Sequence, residues 1–82
     1  MAYYIDTIEQ IKGENNTPTE YGKREKQSGT YENVLTAFFA KLSSVSNDIG
    51  EEDSKKHYYM DIRIVDSNGG VVKKDKVGKY QE

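Results

Sequence analysis

Seven side chains, Tyr31, Val34, Leu35, Phe38, Phe39, Leu42 and Val45, recur at intervals of three and four residues. That spacing is the apolar stripe of an amphipathic helix buried along one side. Thr30 supplies an N-cap hydroxyl, and Glu32 suits the positive end of the helix dipole. Ile49 extends the stripe, and Gly50 has the freedom of a C′ residue. The spacing predicts a helix over 31–48, about 27 Å long at about 1.5 Å per residue. A single helix cannot bury such a stripe on itself. The 82-residue chain is long enough for one domain over 1–82 and has no cysteine to staple it. The helix needs a sheet.

The strand signals lie on either side of it. In HYYMDIRIVD, 57–66, Tyr58, Met60, Ile62 and Ile64 alternate with His57, Tyr59, Asp61 and Arg63, with Val65 after them. Period two predicts a strand with one buried face, and the first set joins the helix stripe in the core. Asp66-Ser67-Asn68-Gly69-Gly70 follows and carries the Asn-Gly hairpin signal. Its partner, 71–80, has lysines at 73, 74, 76 and 79, which suit a protected edge strand. YYIDTIEQIK, 3–12, reads as a strand with a phase change at a bulge near Asp6-Thr7. A helical face of Tyr4, Ile8 and Ile11 is the competing reading. Residues 13–18 form a loop, and 19–26 return as a second strand around Tyr21. Residues 50–56, GEEDSKK, are a polar connection. The expected fold is α+β: a two-layer β-β-α-β-β arrangement with a four-stranded, mainly antiparallel sheet. One amphipathic helix packs on one of its faces.

One helix covers one side of four strands, so the other side meets water or a partner. That bare face is expected to carry His57, Tyr59, Asp61, Arg63 and Val65, the candidate binding residues. His57 and Asp61 in line on one strand do not make a metal site. Lys55 and Lys56 with the C-terminal lysines form two basic clusters, interrupted by Asp75 and preceded by Glu51-Glu52-Asp53. With a net charge of −2 no overall field draws in nucleic acid, which makes that partner unlikely. No cysteine nucleophile, serine elbow or glycine-rich phosphate loop is present, and neither catalytic residues nor cofactor nor metal is expected. No apolar run reaches the roughly 18 residues of a spanning helix, and Met1-Ala2-Tyr3-Tyr4 begins no signal peptide. The expectation is a cytoplasmic protein without membrane contact. The glycosylation acceptor Asn15-Asn16-Thr17 carries no meaning without such a signal.

The helix Tyr31-Glu32-Asn33-Val34-Leu35-Thr36-Ala37-Phe38-Phe39-Ala40-Lys41-Leu42, between a β-rich start and Asp66-Ser67-Asn68-Gly69, resembles a group of small uncharacterised proteins. They are encoded by phages, prophages and integrated elements of Firmicutes-type bacteria. The resemblance implies a mobile-element accessory protein with no defined activity, and it carries over no site residues. The expected function is therefore a non-enzymatic interaction module that binds a protein partner or itself as a homodimer. The alternative is a small-ligand or nucleotide binder of the anti-defence, signal-sequestering kind.

Overall fold

The computed structural model describes residues 2–13, 15, 17–50 and 57–81. Positions 51–56 of the polar connection, with Lys55 and Lys56, and Asn16 of the acceptor sequence lie outside them. The elements run β1 (Tyr3–Lys12), β2 (Pro18–Gln27), α1 (Tyr31–Gly50), β3 (His57–Asp66) and β4 (Val71–Gly78). They form one antiparallel sheet in the order β2-β1-β3-β4 with α1 on one face, the α+β fold that the two periodicities imply.

Composition explains which strands are central. β1 and β3 carry the isoleucines and pair with each other from Tyr3↔Asp66 to Glu9↔Met60. β2 and β4 carry the Lys and Glu residues and form the two edges, where charge discourages pairing with another molecule. The β3–β4 turn is closed by Asp66, whose carboxylate accepts from the N–H groups of Asn68 (2.9 Å) and Gly70 (2.8 Å). Gly69 takes the left-handed φ of 85° that the turn needs.

Thr30 caps α1: its carbonyl accepts from the Val34 N–H at 3.1 Å and its hydroxyl from that of Asn33 at 3.3 Å. The core unites Ile5, Val34, Phe38, Val45, Met60, Ile62 and Ile64, with Tyr31, Leu35, Leu42 and Val77 packed around it. The helix continues to Gly50, so that glycine closes its last turn and is no C′ residue. β4 stops at Gly78, two residues short of the expected 80.

Two core expectations and one of strand geometry change. Phe39 is 48% exposed, because its position lies at the margin of the stripe. There it packs edge-on against Phe38, and the Lys73 ammonium lies 5.3 Å from its ring centre. Tyr58 is half-buried and stands outside the central cluster. The irregularity falls in the β1–β3 pairing between Gln10 and Ile11, with the extra residue in β3, and β1 passes through Asp6-Thr7 without a bulge. The apolar positions of β1 lose their period because Thr7 and Glu9 point to the helix while Ile8 points away.

Candidate functional site

Strand register arranges the face opposite α1 into rows that run across the strands. One row is Lys76, Asp61, Ile8 and Gly22; the next is Lys74, Arg63, Asp6 and Arg24. Strands lie about 4.8 Å apart, so each row spans about 14 Å. Tyr59, Asp61 and Arg63 are together on this face, as their alternation predicts.

The other two expected residues behave differently. Val65 points to this face but is 4% exposed, set between Tyr4 and Val71 in register, and offers almost no surface. His57 is on the wrong side for the site. The register passes from Gln10↔Tyr59 to Ile11↔His57, dropping Tyr58 from the pairing, and this extra residue reverses the side on which His57 emerges. Its Nδ1 bonds the Asp48 carboxylate of α1, and its Nε2 lies 3.6 Å from Glu9 Oε1. Lys41 of the helix reaches the same Glu9 oxygen at 2.9 Å. His57 therefore ties β3 and β1 to the helix, and it shares no site with Asp61.

A further row, Gly78, Tyr59, Gln10 and Glu20, is covered by the chain's own C-terminal segment. Gly78 adopts φ 83°, and a Cβ there would overlap the Tyr58 carbonyl oxygen. From that turn the Lys79 N–H donates to the Tyr58 carbonyl at 2.8 Å. Tyr80 packs edge-on against Tyr59 with centroids 5.5 Å apart, and its hydroxyl donates to Glu20 at 2.6 Å. Gln10 then treats the tail as a neighbouring strand. Its Nε2 donates to the Gln81 carbonyl at 2.5 Å, and its Oε1 accepts from the Gln81 N–H at 2.7 Å.

Between this tail and the Arg63 row lies a trough. Ile8 forms its floor and is 42% exposed although it belongs to an inner strand. Gly22 beside it leaves the edge open, with nothing within 4 Å of where a Cβ would stand. A depression of about 380 Å³ is lined here by Asp6, Ile8, Gly22, Arg24, Asp61 and Arg63. A second, of about 410 Å³, is lined by Asp61, Arg63, Lys74, Asp75 and Lys76, and the two meet at Asp61 and Arg63.

The charges along the trough are unevenly satisfied. Arg24 clamps Asp6 through Nε (2.7 Å) and Nη2 (2.6 Å), and this hydrogen bond holds the Asp6 carboxyl below the usual aspartate value. Burial pushes Asp6 the other way and is outweighed; the charges of Arg24 and Arg63 add to the lowering. Arg63 uses only Nε, donating to Asp61 at 3.2 Å. Among the described residues its terminal nitrogens, and the ammonium groups of Lys74 and Lys76, meet no carboxylate. Arg63 and Lys74 are direct cross-strand partners, and like charges so placed destabilise a sheet. Burial raises the Tyr59 phenol above its ordinary value, followed by the charge of Asp61 and a hydrogen bond to it.

The sequence points to Tyr59, Asp61 and Arg63 because they share one alternating strand. It does not point to Ile8, Gly22, Arg24 or the tail, which join the face only through register. The one local signal is that Ile5 and Ile8 have opposite parity within β1. Among the described residues, no group of His, Asp or Glu is arranged to hold a metal ion, and no helix is long and apolar enough to cross a membrane. Fold and face together define a two-layer α+β domain with an open sheet surface. No protein-family model, curated protein or solved structure matches the chain.

Proposed function

We propose that the protein is a non-enzymatic interaction module whose working surface is the open face of the sheet, and that its partner is another protein. The observation that carries this reading is Ile8, a large aliphatic side chain left in solvent on a central strand beside a glycine. An apolar floor rimmed by charge is the usual anatomy of a contact surface. The accessory role in a phage or mobile element that the resemblance implies is compatible with such a module.

Charge separates a different partner from a second copy of the chain. The open face holds Arg24, Lys26, Arg63, Lys74 and Lys76 against Asp6, Asp61 and Glu20, in a chain whose net charge is −2. Two copies face to face would set one cationic surface on another. A homodimer through this face is therefore the weaker version of the reading.

The test compares the proteins captured from the native cell by the parent and by two variants, Gly22→Val and Ile8→Gln. Gly22→Val fills the trough and suits a strand, so it should fold at least as well as the parent while losing the partner. Retention of the same partner by both variants would contradict the assignment of this face. A gain in thermal stability on adding nucleotides, absent with peptides, would replace it with the nucleotide-binding alternative.

A further inference from the structure

The trough also indicates the chemistry of what it holds, an inference that rests on the open-face reading. Three features must be satisfied together: an apolar floor at Ile8, an entrance left open by Gly22, and cationic groups (the terminal nitrogens of Arg63 and the ammonium groups of Lys74 and Lys76) that meet no carboxylate among the described residues. The first asks for an aliphatic group and the last for anionic groups about one to two strand spacings away, about 5–10 Å. The tail adds a precedent, since Tyr80 reaches Glu20 with its hydroxyl and the Gln81 backbone hydrogen-bonds to the side chain of Gln10 over the open face. A polypeptide backbone can therefore lie over this sheet within hydrogen-bonding reach of its side chains.

A nucleic acid would need flat aromatic surfaces for its bases. This face presents three, and each is engaged: Tyr59 and Tyr80 pack edge-on against each other, and Tyr4 lies under the Arg24 guanidinium at 5.3 Å. We infer that the trough receives a short extended acidic segment of a partner protein. One aliphatic side chain rests on Ile8 beside Gly22, and flanking carboxylates meet Lys74, Lys76 and the free edge of the Arg63 guanidinium. A span of about 14 Å accommodates about four extended residues.

The test uses a synthetic peptide, Glu-Glu-Leu-Glu-Glu, titrated into the full chain at low salt, with amide chemical shifts followed by NMR. The expected result is movement of Ile8, Gly22, Asp61, Arg63 and Lys76, with the outer surface of α1 unmoved. Affinity should fall about tenfold or more for Gly22→Val, for the double variant Lys74→Gln/Lys76→Gln, and for a peptide with Ser in place of Leu. It should weaken as salt rises. No movement at millimolar peptide, or movement confined to other surfaces, would overturn the proposal. So would inorganic phosphate or a ten-nucleotide oligothymidylate that shifts the same amides at lower concentration. If the peptide fails while Gly22→Val still loses the native partner, the acidic chemistry is wrong and the open-face module stands. If Gly22→Val keeps that partner, the module itself is wrong.

Discussion

Gly78 controls more of the open face than any side chain on it. Its left-handed backbone costs an L-residue roughly 1–2 kcal/mol, and a Cβ would also collide with the Tyr58 carbonyl oxygen. Gly78→Ala should therefore destabilise the domain and detach the tail, exposing the Gln81 amide to hydrogen exchange. Unchanged protection at Gln81 would show that the turn tolerates a side chain. The Asp6–Arg24 pair makes a prediction about acid. The carboxyl is held below its ordinary 3.8 in the folded chain, so its stabilisation is present above that value and is lost as pH falls through the lower folded one. Parent stability should consequently fall more steeply below about pH 4 than that of Arg24→Gln, measured by denaturation at a series of pH values. Tyr59 works in the opposite sense. Its folded value lies above the ordinary 10.0, so the neutral phenol is favoured and stability declines as pH rises past that point. In an ultraviolet titration the Tyr59 phenol should ionise above the ordinary tyrosine value, as a late component that Tyr59→Phe removes.

Among the elements, α1 gives the clearest demonstration that periodicity determines packing. Phe38 is fully buried at the centre of the stripe, and Phe38→Ala should cost about 3–5 kcal/mol, enough to unfold most of a domain this small. A variant that melts with the parent would show that the helix does not depend on the sheet. The stripe, its Thr30 cap, and β3 with its Asn-Gly turn were all legible, because each is a local pattern with a single good solution. β1 was harder. Its Thr7 and Glu9 occupy the helix side, where Glu9 is held by Lys41 and His57, and Ile8 takes the open side. No one-dimensional pattern reports that exchange. His57 was misplaced for a related reason, since a bulge near Tyr58 reverses the side on which His57 emerges. Strand order was partly legible: the lysines of 71–80 mark an edge, and β4 is one, while the central pairing of β1 with β3 is a long-range contact that no local pattern reports.

At the scale of the whole molecule, the site belongs to the assembled sheet and to no single motif. Ile8, Gly22, Arg63 and Lys76 come from four strands, and register alone makes them neighbours. The segment 57–66 contributed Tyr59, Asp61 and Arg63 to a sequence-based reading, while Val65 and His57 dropped out through burial and the bulge. The same assembly concentrates positive charge on one face of a chain that is acidic in sum, which favours an acidic partner over a second copy. A monomer in solution at tens of micromolar is therefore expected from light scattering. A compact dimer that dissociates on Gly22→Val would reverse that preference.

The most direct measurement of the central claim is site-specific photo-crosslinking in the cell that makes the protein, with the reactive residue placed in turn at Lys76, Gly22 and Ser43. Lys76 and Gly22 lie at opposite ends of the trough, and Ser43 is exposed on α1. Adducts to one and the same polypeptide from both trough positions, with none from Ser43, are the predicted result. Adducts from Ser43 alone, or from neither end of the trough, would contradict the account.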